Sequence, residues 1–462
     1  MRSTLLGFLM CVSGLSAKPN VLFILSDDQR PDTIHALGNK IIETPNLDRL
    51  VKSGTTFTRA HCVNPLCVPS RVEIFTGTSG FKNGVLMRGR NKLNEKIPFW
   101  PQVMKQAGYH TWYVGKWHTA GRPSTRGFSD VNGLFSGGGG KYWKPKVDYK
   151  GDEVTGYRGW IFQTDDRKLF PEKGVGLTPD ISRKFADAAI ELLNRKPKKP
   201  FFLQVNFTAP HDPLLMPPGM KDKYDPMKMP LPKNYRPRHP FDHGNFNGRD
   251  EKMLPWPRTK AAIRRNLAVY YSVITDMDAQ IGRILDALKK NGQDKNTIVL
   301  FSSDHGLATG SHGLMGKQNM YEHTILVPMI VSGPGIPKGA KSEALCYLRD
   351  LFPTVCELTG LQIPTSVEGK SLAPILSGKA KSVRDRVFCY FNDCQRMIRN
   401  ERWKLIHYPK IKRDQLFDLK NDPDELVELS QLKKYRKTKE KLKSQLREWQ
   451  RKVKDPLLSL KK

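Results

Sequence analysis

Apolar residues in this chain gather into short dense runs, and polar chemistry follows each run at once. "PNVLFILSDD" (19–28), "HTWYVGKWH" (110–118), "PFFLQVNFTAPH" (200–211), "TIVLFSSDHG" (297–306) and "VPMIVSGPG" (327–335) lack the alternation of a half-exposed strand. They read as strands buried on both faces. Between them the period changes to that of a helix. "TPNLDRLVKSG" (44–54) is a short helix closed by Gly54, "ISRKFADAAIELLNR" (181–195) precedes a strand, and residues 261–292 carry helical spacing up to Gly292. Alternating strands and helices predict an α/β fold, with a large sheet sandwiched by helices. Residues 212–258 are rich in Pro, Met, Lys and Asn and show no period. "SGGGGK" (136–141) predicts a mobile loop. Beyond about residue 380, "RVFCYF", "RMIRNERWKLIHY" and "QLFDL" predict short antiparallel strands. "KYRKTKEKLKSQLREWQRKV" (434–453) predicts a basic helix laid over them. The expected organisation is a leader at 1–17, an α/β domain at 18–379 and a smaller α+β subdomain at 380–462.

Composition narrows the function. The 462 residues include 77 Lys plus Arg against 45 Asp plus Glu, a formal net charge of +32, which favours a polyanionic partner. "MRSTLLGFLMCVSGLSA" has one early Arg, an apolar stretch and small residues near Ala17, as in a secretory signal peptide. A periplasmic or secreted location is therefore expected, and with it no nucleic-acid partner. No later run reaches about 18 apolar residues, so no stable membrane anchor is expected. Of seven cysteines, Cys389 and Cys394 are spaced so that they could pair, and no CxxC pair suggests zinc.

The candidate site lies at the ends of the strands. Asp27, Asp28, His118, His211, Asp304 and His305 all stand just past apolar runs, and in open α/β sheets ligands bind at the carboxyl ends of strands. Clustered carboxylates at Asp27, Asp28 and Asp304 call for a hard divalent cation among them. Cys67 opens "CVPSR", where Pro69 suits an early helical position and Arg71 returns to the same helical face. Such a helix start favours negative charge.

With "SDDQ" (26–29), "CVPSR" (67–71), "GKWH" (115–118), "APH" (209–211), "SDHG" (303–306) and "GKQNMYE" (316–322) in this order, the sequence resembles the formylglycine-dependent sulfatases of the alkaline phosphatase superfamily. The resemblance implies an alkaline phosphatase-like fold. It implies conversion of Cys67 to formylglycine by a maturation enzyme that reads "CxPSR". The hydrated aldehyde would attack sulfur and later release sulfate as the aldehyde returns. It implies Ca2+ held by Asp27, Asp28, Asp304, the modified Cys67 and His305, the last standing where many relatives have asparagine. It implies catalytic roles for Arg71 in holding residue 67 and for Lys116 and Lys317 in binding sulfate. His118 would act as base, and His211 would protonate the departing oxygen. The expected substrate is a sulfated carbohydrate. Two readings stay open beside it: a formylglycine phosphonate monoesterase or phosphodiesterase, and a non-catalytic polyanion-binding protein on the same scaffold. Trp143, Trp160, Lys141 and His243 are candidates for a sugar subsite.

Overall fold

The computed structural model describes residues 18–87 and 92–459; the expected leader at 1–17 lies outside them. The strand runs fold as the hydrophobic pattern requires. Nine strands make the main sheet: β1 Asn20–Ser26, β2 Gly54–Phe57, β3 His110–Lys116, β4 Asp130–Gly137, β5 Trp160–Gln163, β6 Phe201–Asn206, β7 Thr297–Ser303, β8 Met329–Ser332 and β9 Ala340–Ser342. Their order is β9-β2-β8-β7-β1-β6-β3-β4-β5, and the central five, β7-β1-β6-β3-β4, are parallel. A continuous apolar run is buried on both faces because each face meets its own layer. Val21, Phe23 and Leu25 of β1 face one core with Val72 and Phe75 of helix α2 (Cys67–Thr76), Trp100 of α3 (Trp100–Gln106) and Phe352 of α6 (Leu351–Leu358). Leu22 and Ile24 face the other core, with Leu47 of α1 (Pro45–Ser53), Phe185 and Leu192 of α4 (Ile181–Asn194), and Met277, Ile281 and Ile284 of α5 (Lys260–Lys290).

The C-terminal strands form an antiparallel meander, β10 Arg386–Phe391, β11 Gln395–Asn400, β12 Trp403–Tyr408 and β13 Arg413–Asp418. One face, Cys389, Met397, Ile406 and Phe417, joins the core that holds Phe23. The other, Ile398, Leu405 and Leu416, is covered by Leu442 and Leu446 of α7 (Arg436–Lys452). None of the helices among the described residues is long and apolar enough to cross a membrane.

Three details refine the expectations from sequence. The glycine-rich stretch is not a free loop. Ser136 and Gly137 finish β4, and the Gly139 amide donates to the Gly159 carbonyl at 2.8 Å, where an added Cβ on Gly159 would meet Gly140 at 2.8 Å. The segment 212–258 holds two short 3-10 turns, Pro226–Lys228 and Asp250–Met253, and a single β-bridge from Tyr235 to Ser311. Cys389 and Cys394 are free thiols, like every cysteine among the described residues. The Cys389 thiol donates to the Cys62 carbonyl and that of Cys394 to the Phe391 carbonyl.

Candidate active site

The ends of β1, β6 and β7 are tied together before any side chain is considered. The Asp27 amide donates to the Ala209 carbonyl at 3.0 Å, the Asp304 amide to the Ser26 carbonyl at 3.3 Å, and the Asp28 amide to Asp304 Oδ1 at 3.2 Å. Asp28 holds φ of +66°, a left-handed conformation that aspartate tolerates better than most residues. The turn aims Asp27 and Asp28 into one buried space.

Two local devices aim the remaining groups. The pairing of β3 with β4 shifts register between Val114 and Gly115, a bulge in which Gly133 of β4 is the extra residue, directly before Lys116. Gly115 has φ of +99°, and a Cβ there would lie 2.0 Å from the Asn206 carbonyl oxygen. The bulge delivers Lys116 onto Asp27, with which it forms a buried ion pair. In "CVPSR" the Ser70 hydroxyl donates to the Asp304 carbonyl at 2.6 Å, which seats the start of α2 on the end of β7. Cys67 is the first residue of that helix, and Arg71, one turn on, donates from Nε to Asp304 Oδ2 at 3.0 Å.

Cys67 Sγ is where these groups converge. It lies 3.5 Å from Asp27 Oδ1, 3.4 Å from His305 Nε2 and 3.8 Å from Lys317 Nζ. Lys317 Nζ also sits 2.8 Å from Asp28 Oδ2 and 2.8 Å from His211 Nε2. His211 Nδ1 is 2.6 Å from the Asp212 carbonyl, so it donates there and Nε2 faces the pocket. The Arg249 guanidinium grips the Asp212 carboxylate, with Nη2 2.9 Å from Oδ1. His118, with Trp160 packed edge-on at 5.0 Å, stands on the wall of the same cavity of about 410 Å³ beside Cys67, Lys116, His211 and Lys317.

Charge and burial set the protonation pattern. Burial alone would push the Cys67 thiol up, but Lys116, Lys317 and His305 outweigh it and hold it well below the ordinary thiol range. Burial opposes charge on His211 as well, yet Asp28 and Asp212 lift it to about 10 despite Lys317 beside it. Burial lowers His118 to about 4, leaving it a neutral base at pH 7. Burial, then Asp27, raises Asp304 to about 7, and burial likewise raises Asp28.

Crowded buried carboxylates that resist ionisation are the expected signature of a cation site. Asp27, Asp28, Cys67 and His305 place ligand atoms within 4.8 Å of one another. Asp304 adjoins this quartet, and its oxygens accept from Arg71, the Asp28 amide and the His305 amide. His305 Nδ1 is 3.1 Å from the Gly306 carbonyl and 3.2 Å from Asp28 Oδ1, while Nε2 faces Cys67 Sγ. Arg71 Nη1 and Nη2 are buried with no hydrogen-bond partner. Nη2 lies 3.5 Å from Asp27 Oδ1, so the guanidinium is ion-paired with both Asp27 and Asp304.

All the catalytic and metal-binding residues singled out from the sequence therefore meet at one sheet edge. Of the subsite candidates, Trp160 lines the pocket, whereas Trp143 and Lys141 do not. His243 is buried, and its carbonyl accepts from Gln395. Three site residues were not singled out by sequence. The Tyr157 hydroxyl donates to Asp27 Oδ2 at 2.8 Å, Asp212 holds His211, and Arg249 holds Asp212. Tyr157 and Arg249 lie in aperiodic loops, and only the adjacency of Asp212 to His211 gave a signal.

A carboxyl-edge site with buried acids, two ammonium groups and a reactive residue at a helix start is the layout of a hydrolase for anionic esters. Comparison with known proteins makes the class specific. A sulfatase family model matches residues 19–361, and a model for the C-terminal part of N-sulphoglucosamine sulphohydrolase matches residues 310–452. The chain is 31% identical over 450 residues to an arylsulfatase of Clostridium perfringens, covering 91% of this chain and 92% of that one. It is 28% identical over 511 residues to an N-acetylglucosamine-6-O-sulfatase of Bacteroides thetaiotaomicron, covering 95% and 87%. A solved structure of a protein in complex with its substrate D-glucosamine-2-N,6-O-disulfate superposes with a TM-score of 0.78 at 25% identity, covering 95% of this chain and 98% of that one. The chain belongs to the sulfatase family of the alkaline phosphatase superfamily and is a sulfuric ester hydrolase.

Proposed function

We propose that this protein is exported and removes sulfate from a sulfated carbohydrate, with formylglycine made from Cys67 as its nucleophile and a bound Ca2+. The observation that carries the reading is the convergence on Cys67 of two lysines, two histidines and a buried acid cluster. The carbohydrate is supported by relatives named for glucosamine sulfates. Trp160 and Tyr157 on the pocket wall offer ring faces suited to a sugar.

The Cys67 thiol stands in for an oxygen-bearing side chain whose negative charge the buried Arg71 guanidinium would balance. Asp27, Asp28 and His305, with Asp304 adjoining, would hold the cation, which when bound supplies positive charge for activating an oxygen nucleophile. Lys116 and Lys317 bind sulfate oxygens and stabilise charge on the transferring group. His211, held by Asp212, and Lys317, 2.8 Å from its Nε2, form the pair from which a proton passes to the departing alcohol oxygen. His118, neutral, accepts a proton from residue 67. Because every one of these positions is filled, a non-catalytic scaffold has no structural support.

The test uses the full chain co-expressed with a formylglycine-forming maturation enzyme. Mass spectrometry of the peptide around residue 67 should find formylglycine, and Cys67→Ala should abolish turnover of glucosamine sulfates. Chelation should remove activity and Ca2+ restore it. A fully active preparation holding only the thiol, or activity that survives exhaustive chelation with no metal by elemental analysis, would overturn the reading.

A further inference from the structure

We propose that the face opposite the catalytic pocket is a second binding surface, which holds sulfated polysaccharide; this rests on the sulfated-carbohydrate reading above. The carboxyl ends of β1, β6 and β7 form the pocket, so their starts lie at the other edge of the sheet. At about 3.3 Å per residue the seven-residue β1 sets the two edges on the order of 20 Å apart. At the far edge a groove of about 520 Å³ runs between α1, the end of α5, the start of β7 and the turn after β8. Its charged lining is Arg49, Lys289, Lys295 and Lys338 against a single acid, Asp294. Leu50, Leu285, Leu288, Val299 and Ile336 supply an aliphatic floor.

Arg49 is paired with Asp286 at 2.8 Å. Lys289, Lys295 and Lys338 are exposed and make no ion pair among the described residues. The tertiary structure then adds lysines from distant segments. The Asn291 side chain donates to the Leu193 carbonyl at 3.1 Å and to Asn194 Oδ1 at 3.0 Å, which places "RKPKKP" (195–200) beside the end of α5. The Asn296 side chain donates to the Lys18 carbonyl at 3.4 Å, which brings in the start of β1. Exposed Lys18, Lys196, Lys198, Lys199 and Lys290 thus continue the basic rim.

Like charges that outnumber their counter-acids repel one another, and a polyanion lying along them relieves that repulsion. Lysine ammonium groups are point charges suited to scattered sulfates, and the aliphatic floor suits the apolar faces of sugar rings. Held there, a polymer keeps the enzyme on its substrate while another stretch or a neighbouring chain enters the pocket, raising the effective concentration of sulfate esters.

The experiment measures binding of the full-length Cys67→Ala protein to heparin, with desulfated heparin, duplex DNA and phosphatidylserine vesicles as comparisons. Heparin should bind with an affinity that falls steeply with salt, and a monosulfated glucosamine filling the pocket should not displace it. In the same background K289Q/K295Q/K338Q should weaken heparin binding on the order of tenfold or more. In the active enzyme the triple substitution should leave turnover of a small aryl sulfate within about twofold, since it touches no site residue. Unchanged heparin affinity in the triple variant, or tighter binding of DNA or vesicles than of heparin at equal salt, would overturn the proposal. Loss of the functional reading looks different: the parent enzyme would turn over no sulfated sugar while the groove still bound heparin.

Discussion

His211 is a buried imidazole whose surroundings favour the proton. Burial opposes its charge, but Asp28 and Asp212 raise it to about 10, Nδ1 is committed to a backbone carbonyl, and Nε2 points into the pocket. A group held in this state donates, and a donor matters most where the leaving oxygen is basic. His211→Ala should therefore reduce kcat/KM on an alkyl or sugar sulfate by about 100-fold or more, and on an activated aryl sulfate by much less. Equal losses on both would reduce His211 to a binding role. Sequence spacing was enough to single out His211, because it stands at the end of a strand run. It did not reveal that Asp212 and Arg249 hold it, since Arg249 comes from an aperiodic loop.

At the scale of elements, β3 and α7 contribute to different things. The bulge made by Gly133 of β4 falls opposite Gly115, just before Lys116 enters the site, and the left-handed φ of Gly115 together with its 2.0 Å approach to Asn206 leaves no room for a side chain. Gly115→Ala should lower stability in chemical denaturation by about 1–3 kcal/mol and cut kcat as Lys116 is displaced. Leu446 of α7 packs on Ile398, Leu405 and Leu416, the face of the C-terminal sheet turned away from the pocket. Leu446→Ala should cost about 2–5 kcal/mol while leaving kcat nearly unchanged in the folded fraction. If both substitutions changed kcat alike, the bulge would have no special part in aiming Lys116. Strands β1, β3, β6 and β7 were legible by their dense apolar runs and α1, α4, α5 and α7 by their helical period, whereas the eight-residue β4 was not, because glycines and polar residues interrupt its sequence. Short β2, β5 and β9 were not, because runs of three or four residues carry no period of their own.

Over the whole molecule the charge is divided. Inside the pocket acids and bases pair, as Asp27 does with Lys116 and Asp28 with Lys317. The net charge of +32 therefore lies mostly outside the pocket, part of it at the far-edge groove and along α7. Exterior charge acts over a Debye length of about 10 Å at 0.1 M salt. Catalytic efficiency on sulfated polysaccharide should thus fall as salt rises, through KM more than kcat, while that on a small aryl sulfate stays nearly flat. The same salt dependence for both substrates would count against a polymeric substrate guided by this surface.

The sequence by itself determined the sheet, its flanking helices and most of the site, because buried strands announce themselves by density and their carboxyl ends must share one edge. Residue 67 was legible as well, since a cysteine before "VPSR" sits where a helix begins. Only the tertiary structure decided the rest. It set Asp304 beside the candidate quartet with its oxygens accepting from Arg71 and two amides, and it brought Tyr157 and Arg249 in from loops. It also gathered lysines from residues 18, 196–199, 289–295 and 338 onto one face. These are contacts between segments far apart in the chain. Local periodicity carries no record of them, because they are fixed by how packed layers meet.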